Sequence, residues 1–97
     1  MAFYKRYFPG GGADAAVVAP AYSMAATMEQ VLRQCGDDLT RENVMHQAAN
    51  LKNFRAPLLL PNISINTSST DYYPLKQLQL MKFDGQTWVR FGDVLSP

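Results

Sequence analysis

The side chains able to do covalent or metal chemistry are few in this chain, and they stand apart. There is one cysteine, Cys35, and one histidine, His46, in 97 residues. A lone thiol builds neither an internal disulfide nor a thiolate metal cluster. Cys35 directly precedes Gly36, at the expected end of a helix, where a thiol reads as a packing group rather than as an activated nucleophile. His46 has neither a carboxylate nor a second histidine at i+4, so it reads as a solvated helix residue. Asp37-Asp38 are adjacent, which turns their carboxylates apart and makes a turn of them, not an acid/base pair. The serines between 64 and 69 lack a histidine or lysine in motif context. Gly10, Gly11 and Gly12 follow a helical pattern instead of a strand, so they read as a link and not as a phosphate cradle. Tyr72-Tyr73 could stack on a ligand, yet such pairs mostly serve packing. No catalytic residue, metal ligand or cofactor site is expected, and the chain does not read as an enzyme.

The stretch PNISINTSSTDYYP, residues 61–74, raises a different question. Asn62-Ile63-Ser64 and Asn66-Thr67-Ser68 both fit the glycosylation pattern of a secreted surface loop. The same residues alternate, Ile63 and Ile65 against Ser64 and Asn66, as a half-buried strand does.

The elements that would position these residues follow from periodicity. Phe3, Tyr4, Tyr7 and Phe8 fall at the i, i+4 spacing of one helical face, and Pro9 with the glycines ends that helix. Between Asp14, a natural N-cap, and Gly36, a natural stop, Val17, Val18, Ala21, Tyr22, Ala25, Met28, Val31, Leu32 and Cys35 recur near 3.6 residues. Pro20 removes a helical hydrogen bond, so the helix either kinks there or starts near Ala19 with 14–18 as an extended approach, and the second is preferred. Thr40 caps a second helix, TRENVMHQAANL, with Glu42 in its first turn and Val44, Met45, Ala48, Ala49 and Leu51 on its buried side. LLLPNISIN reads as a strand, at an edge or bulged because of Pro61. Asp84-Gly85 between KQLQLMKF and QTWVRFGDVL marks a β-hairpin.

Composition leaves an ordinary small globular chain: 47% hydrophobic, 18% charged, net charge +1. That charge gives no electrostatic case for nucleic acid or an anionic membrane. No apolar run reaches the roughly 18 residues needed to span a bilayer. The start, MAFYKRYFPGGG, has basic residues with no apolar run behind them, so no signal peptide is read and the chain as written is expected to stay in the cytoplasm.

The ordered words QVLRQCGDDLTRENVM, AANL, LLLP, INTS, DYYP and FDGQTW resemble the C-terminal part of periplasmic substrate-binding proteins of ABC transporters, of the branched-chain amino-acid type. The resemblance runs back through FYKRYFP and so covers nearly the whole chain. It implies the type I periplasmic binding fold, an α/β architecture of two lobes joined by three crossovers with the ligand in the cleft. This chain would be an α+β fragment of it, two to three helices followed by a strand and a C-terminal β-hairpin. Residues 1–66 would end the first lobe, 67–76 would be the last crossover, with Thr67, Ser68, Ser69, Thr70 and Asp71 as hinge, and 77–97 would be the second-lobe hairpin. The family's segment entering its penultimate long helix can meet the ligand's apolar end, which maps here to Val17, Ala19 and Tyr22. Ala21 and Asn62 stand where the family pattern has glycine; the first weakens that carry-over, and the second keeps a residue tolerant of left-handed backbone. The partners implied are a small carboxylated ligand, such as an amino acid, and a membrane permease, with the parent protein in the periplasm and without a cofactor. A second reading makes the chain a truncated piece that pairs strands or exchanges them in a homodimer, which would cover its sheet edges. On the resemblance PNISIN is a first-lobe strand and TSSTDYYP the passage out of it.

Overall fold

The computed structural model describes residues 2–10 and 15–97. Among them the order is α1 (Ala2–Tyr7), α2 (Ala15–Cys35), α3 (Arg41–Ala48), β1 (Met81–Phe83) and β2 (Trp88–Arg90). It is a small α+β chain: three helices, then a two-stranded antiparallel hairpin.

Aromatic stacking holds α1. The Phe3 and Tyr7 rings lie 4.7 Å apart and those of Tyr4 and Phe8 5.7 Å, as the i, i+4 spacing requires. None of its side chains is buried, and a helix of six residues has little stability of its own.

Helix α2 departs from the expectation. It runs from Ala15 to Cys35 and contains Pro20, so 15–18 are helical and not an extended approach. The first four amides of a helix have no intrahelical acceptor, and Pro20 sits just beyond them. It forfeits only one bond, to the Ala16 carbonyl, close to the helix end, where that loss is smallest. The Asp14 cap, and the link at Gly11 and Gly12, fall outside the described residues. The C-terminal stop is as expected: Gly36 takes φ +59° and its N–H donates to the Arg33 carbonyl at 3.3 Å.

The Thr40 cap forms, its hydroxyl accepting from the Asn43 N–H at 3.2 Å. Asn43 then fastens the turn before α3, donating from Nδ2 to the carbonyls of Asp38 (2.8 Å) and Cys35 (3.4 Å). A chain of amides zips α2 to α3: Gln30 donates to Gln34 (3.0 Å), Gln34 to Gln47 (3.2 Å) and Gln47 to Asn43 (3.3 Å). Met45, expected inward, is 67% exposed, while Val44 and Ala48 pack on the core. With only eight residues, α3 offers one narrow stripe, and 44 and 48 occupy it.

That core is small. Val31, Leu51, Ala56 and Ile65 are buried, with Phe54 and Leu59 against them. The stretch LLLPNISIN is not a strand: Leu58 and Asn62 take φ of +65° and +66°, which breaks any pleat. Pro61 has no N–H to offer a ladder. What remains of strand pairing is one bridge, Phe54 with Ile65 (N–H to carbonyl 3.0 and 2.8 Å), flanked by the Thr67 N–H on the Leu51 carbonyl at 2.9 Å.

In the hairpin Met81 faces Arg90, Lys82 faces Val89 and Phe83 faces Trp88. The loop is 84–87, four residues rather than a two-residue Asp-Gly turn. Asp84 explains its length, because its carboxylate accepts from the N–H of both Gln86 and Thr87 at 2.8 Å. Gly85, at φ +103°, supplies the conformation the loop needs. Pairing resumes at Leu78 with Leu95, after Gly92 (φ +68°) has bulged the second strand, and the Gln79 amide fills the gap by donating to the Phe91 carbonyl at 2.8 Å.

The helices and the hairpin strands do not pack on each other. The chain extends 51 × 40 × 15 Å, one element thick. Its radius of gyration is 16.1 Å, against about 12.5 Å for a compact domain of this length.

Candidate functional site

The residues mapped to the ligand's apolar end lie in the first two turns of α2. At about 100° per residue, Ala19 and Tyr22 are about 60° apart and share a face, whereas Val17 points about 160° away from Ala19. Val17 is exposed; Ala19 and Tyr22 are half-buried. Tyr22 leans on α1, its ring 6.4 Å from that of Phe3. The helix thus brings two of the three together and leaves Val17 in an exposed apolar stripe with Ala21, Met24, Ala25, Met28 and Leu32. Met24 in that stripe is 72% exposed.

The covered side of α2 mixes polar and apolar residues. Ser23 is buried and its hydroxyl donates to the Pro57 carbonyl, Thr27 donates to the Ser23 carbonyl at 2.7 Å, and Gln34 reaches α3. Val31 is the apolar anchor of this side. An amphipathic helix normally turns its apolar stripe to the core. Here the stripe lies about a third of a turn away from the core and faces outward.

The hinge residues are held unequally. Thr67 is 8% exposed, and its hydroxyl donates to the Ala48 carbonyl at 2.6 Å while accepting from the Leu51 N–H at 2.9 Å. Lys52 adds a bond from Nζ to the Thr67 carbonyl at 3.1 Å. Ser68 to Asp71 form a turn closed in both directions, Ser68 N–H to Asp71 carbonyl at 2.9 Å and the reverse at 3.3 Å. Ser69 and Thr70 are exposed at its tip. The Asp71 carboxyl is held below its ordinary range, first by the hydrogen bond from Lys76 and then by the Tyr73 N–H.

An open groove of about 460 Å³ lies between α3 and this turn, lined by Glu42, Met45, His46, Thr67, Ser69 and Tyr72 among others. None of Val17, Ala19 and Tyr22 lines it, so this groove and the mapped ligand residues do not coincide. Sequence reasoning missed Glu42, Met45 and His46 as groove residues; the i, i+3, i+4 spacing of an exposed α3 face was the available signal. Cys35 is buried at the end of α2 and His46 exposed on α3. Among the described residues no group of three His, Cys, Asp or Glu could hold a metal ion. No helix among them is long and apolar enough to cross a membrane.

Of the two sequon asparagines, Asn62 is exposed at its turn. Asn66 has its amide occupied, accepting from the Asn53 N–H at 2.9 Å and donating to the Ser64 hydroxyl at 3.1 Å.

Compared with protein families, with curated proteins and with solved structures, the chain matches none.

Proposed function

We propose that this chain is the C-terminal part of a solute-binding protein of the branched-chain amino-acid type, a two-lobed α/β protein that captures a small carboxylated ligand for an ABC transporter. The parent binds without covalent chemistry: the lobes close on the ligand, and the loaded protein presents it to a membrane permease in the periplasm. Residues 1–66 belong to the first lobe, 77–97 to the second, and 67–76 to the last crossover. Val17, Ala19 and Tyr22 contribute at the apolar end of the ligand, with Ala19 and Tyr22 the pair that shares a face.

The observation that carries the reading is the outward apolar stripe of α2. A helix that packs Val31 and Cys35 inward and still leaves a second apolar stripe in water has a face suited to a further layer. The family words run in order along this same frame. Asn62 supports it in detail, since it takes left-handed backbone (φ +66°) where the family pattern has glycine.

The test has two steps. The coding sequence upstream of Met1 is read for an in-frame continuation, and the extended product is titrated calorimetrically with leucine, valine and an aromatic acid. Saturable one-to-one heat with one of these classes is expected. An extended product that takes up none of them overturns the reading.

A second reading, self-association of the chain as a structural piece, is favoured by the exposed faces of the hairpin, where Trp88 is 64% exposed. Sedimentation that gives a monomer at tens of micromolar would remove it.

A further inference from the structure

The passage from helices to hairpin is tied at several points. Lys76 Nζ meets the Asp71 carboxylate at 2.9 Å and donates to the Asn66 carbonyl at 3.2 Å. The Asn66 N–H in turn donates to the Pro74 carbonyl at 3.1 Å, so 74–76 double back beside Asn66 instead of leaving it. One residue on, the Gln77 side chain reaches both ways. Its Oε1 accepts from the Ser64 N–H at 3.0 Å, and its Nε2 donates to the Ser96 hydroxyl at 3.3 Å. Ser64 lies beside Ile65 of the helical core, while Ser96 follows Leu95, which pairs with Leu78 of the hairpin arm. Gln77 therefore bonds to both bodies, which otherwise do not pack on each other.

We propose that Lys76 and Gln77 are positioning residues that fix the angle between the helical body and the hairpin, making 66–77 a clasp and not a free linker. Lys76 closes the loop from Asp71 onto Asn66, which removes the slack of the exposed 72–75 stretch. Gln77 then sets where the hairpin leaves. A joint without these bonds would sample a wider range of angles, since the helices and the hairpin strands make no packing contact of their own. On the two-lobed reading, on which this use of the clasp rests, the last crossover biases the opening angle of the cleft.

The experiment measures distances by pulsed electron–electron double resonance in the 97-residue chain. Spin labels sit at Arg41→Cys on α3 and Gln86→Cys on the hairpin loop, in a Cys35→Ala background; both labelled positions are exposed. One narrow distance population is expected. The Lys76→Met/Gln77→Met double variant should broaden it, and Lys76→Arg should keep it narrow. Arg33→Met, which breaks the exposed ion pair of Arg33 with Glu29, is the control and should change nothing. Far-ultraviolet circular dichroism verifies that helix content is unchanged in every variant. A broad distribution before mutation, an unaltered one in the double variant, or equal broadening in the control each overturns the clasp. None of these outcomes bears on amino-acid uptake by the extended product, so the two proposals fail separately.

Discussion

Replacing Thr67 by valine should loosen the helical body substantially. The hydroxyl joins three segments: it donates to the last carbonyl of α3, at Ala48, and accepts from the N–H of Leu51, on a residue that already pairs with the Leu51 carbonyl through its own N–H. Leu51 is buried in the core, so water cannot replace the lost acceptor freely. Two hydrogen bonds at about 1 kcal/mol each, plus the cost of an unpaired buried N–H, give a loss of about 2–4 kcal/mol. Against a total margin of about 5–15 kcal/mol for a domain, that is a large share. Thermal unfolding followed by circular dichroism should drop by at least about 8 °C, at roughly 4–8 °C per kcal/mol for a chain of this size. Exchange of the Leu51 amide should quicken by about 30-fold or more, since each 1.4 kcal/mol is a factor of ten. Thr67→Ser, which keeps the hydroxyl, should lose only the methyl contribution of about 1 kcal/mol. The exposed Thr70→Val should stay within about 0.5 kcal/mol of the parent. The reasoning is refuted if Thr67→Val behaves like Thr70→Val, or if serine costs as much as valine, because packing and not the hydroxyl would then be responsible.

Other substitutions probe the remaining features. Met24→Glu, in the outward stripe of α2, should leave unfolding within about 0.5 kcal/mol while reducing light scattering of concentrated chain, and a large destabilisation would show that Met24 is core. Gly92→Val should lower the melting of the hairpin, read from Trp88 fluorescence, because a β-branched side chain is strained at φ +68°; no change would remove the bulge as a structural requirement. Asp84 has its carboxyl lowered from 3.8 by the Thr87 N–H first and the Gln86 N–H second. A depressed folded value means stability is complete above 3.8 and is lost as pH falls through the folded value below it. Trp88 fluorescence should therefore change in the acid range, as pH falls past the ordinary aspartate value and through the lower folded one, and Asp84→Asn should abolish that acid step.

How much was legible depended on whether local chemistry decided the outcome. The Thr40 cap, the Gly36 stop, the aromatic ladder of α1 and the Asp84-Gly85 hairpin each follow from residues within four positions, and each is present. Pro20 misled because its penalty depends on where the helix begins, which the extra turn of 15–18 moved upstream. PNISIN misled because alternation at Ile63 and Ile65 is produced equally by a strand and by an irregular segment that buries Ile65 between turns. Only the φ of Leu58 and Asn62 distinguishes them, and Leu58 carries no sign of its left-handed backbone in its residue type. The candidate site was less legible still. Val17, Ala19 and Tyr22 are close in sequence, yet a helix separates residues two apart, and the groove beside α3 draws on 42–49 and 67–72, which only the Thr67 ties bring together.

The area left uncovered bears on the two arrangements proposed for this chain. Its accessible surface is 7618 Å², where a compact monomer of 10.8 kDa would show about 5,500 Å². The excess, about 2,100 Å², exceeds the roughly 800 Å² per partner of a standard interface. It is not gathered in one place. The stripe from Val17 to Leu32 spans 16 residues, a strip about 24 Å long and about 10 Å wide. Two copies meeting through α2 alone would therefore cover too little to be stable, and would leave both faces of the hairpin, with Phe83 and Trp88, in water. Pairing through the hairpin edge would leave α2 bare in the same way. A body that covers both must reach the stripe of α2 and the hairpin, which do not pack on each other. The two-lobed α/β protein proposed above, in which helices lie against a central sheet and the last strands join a second one, would supply surface in both places.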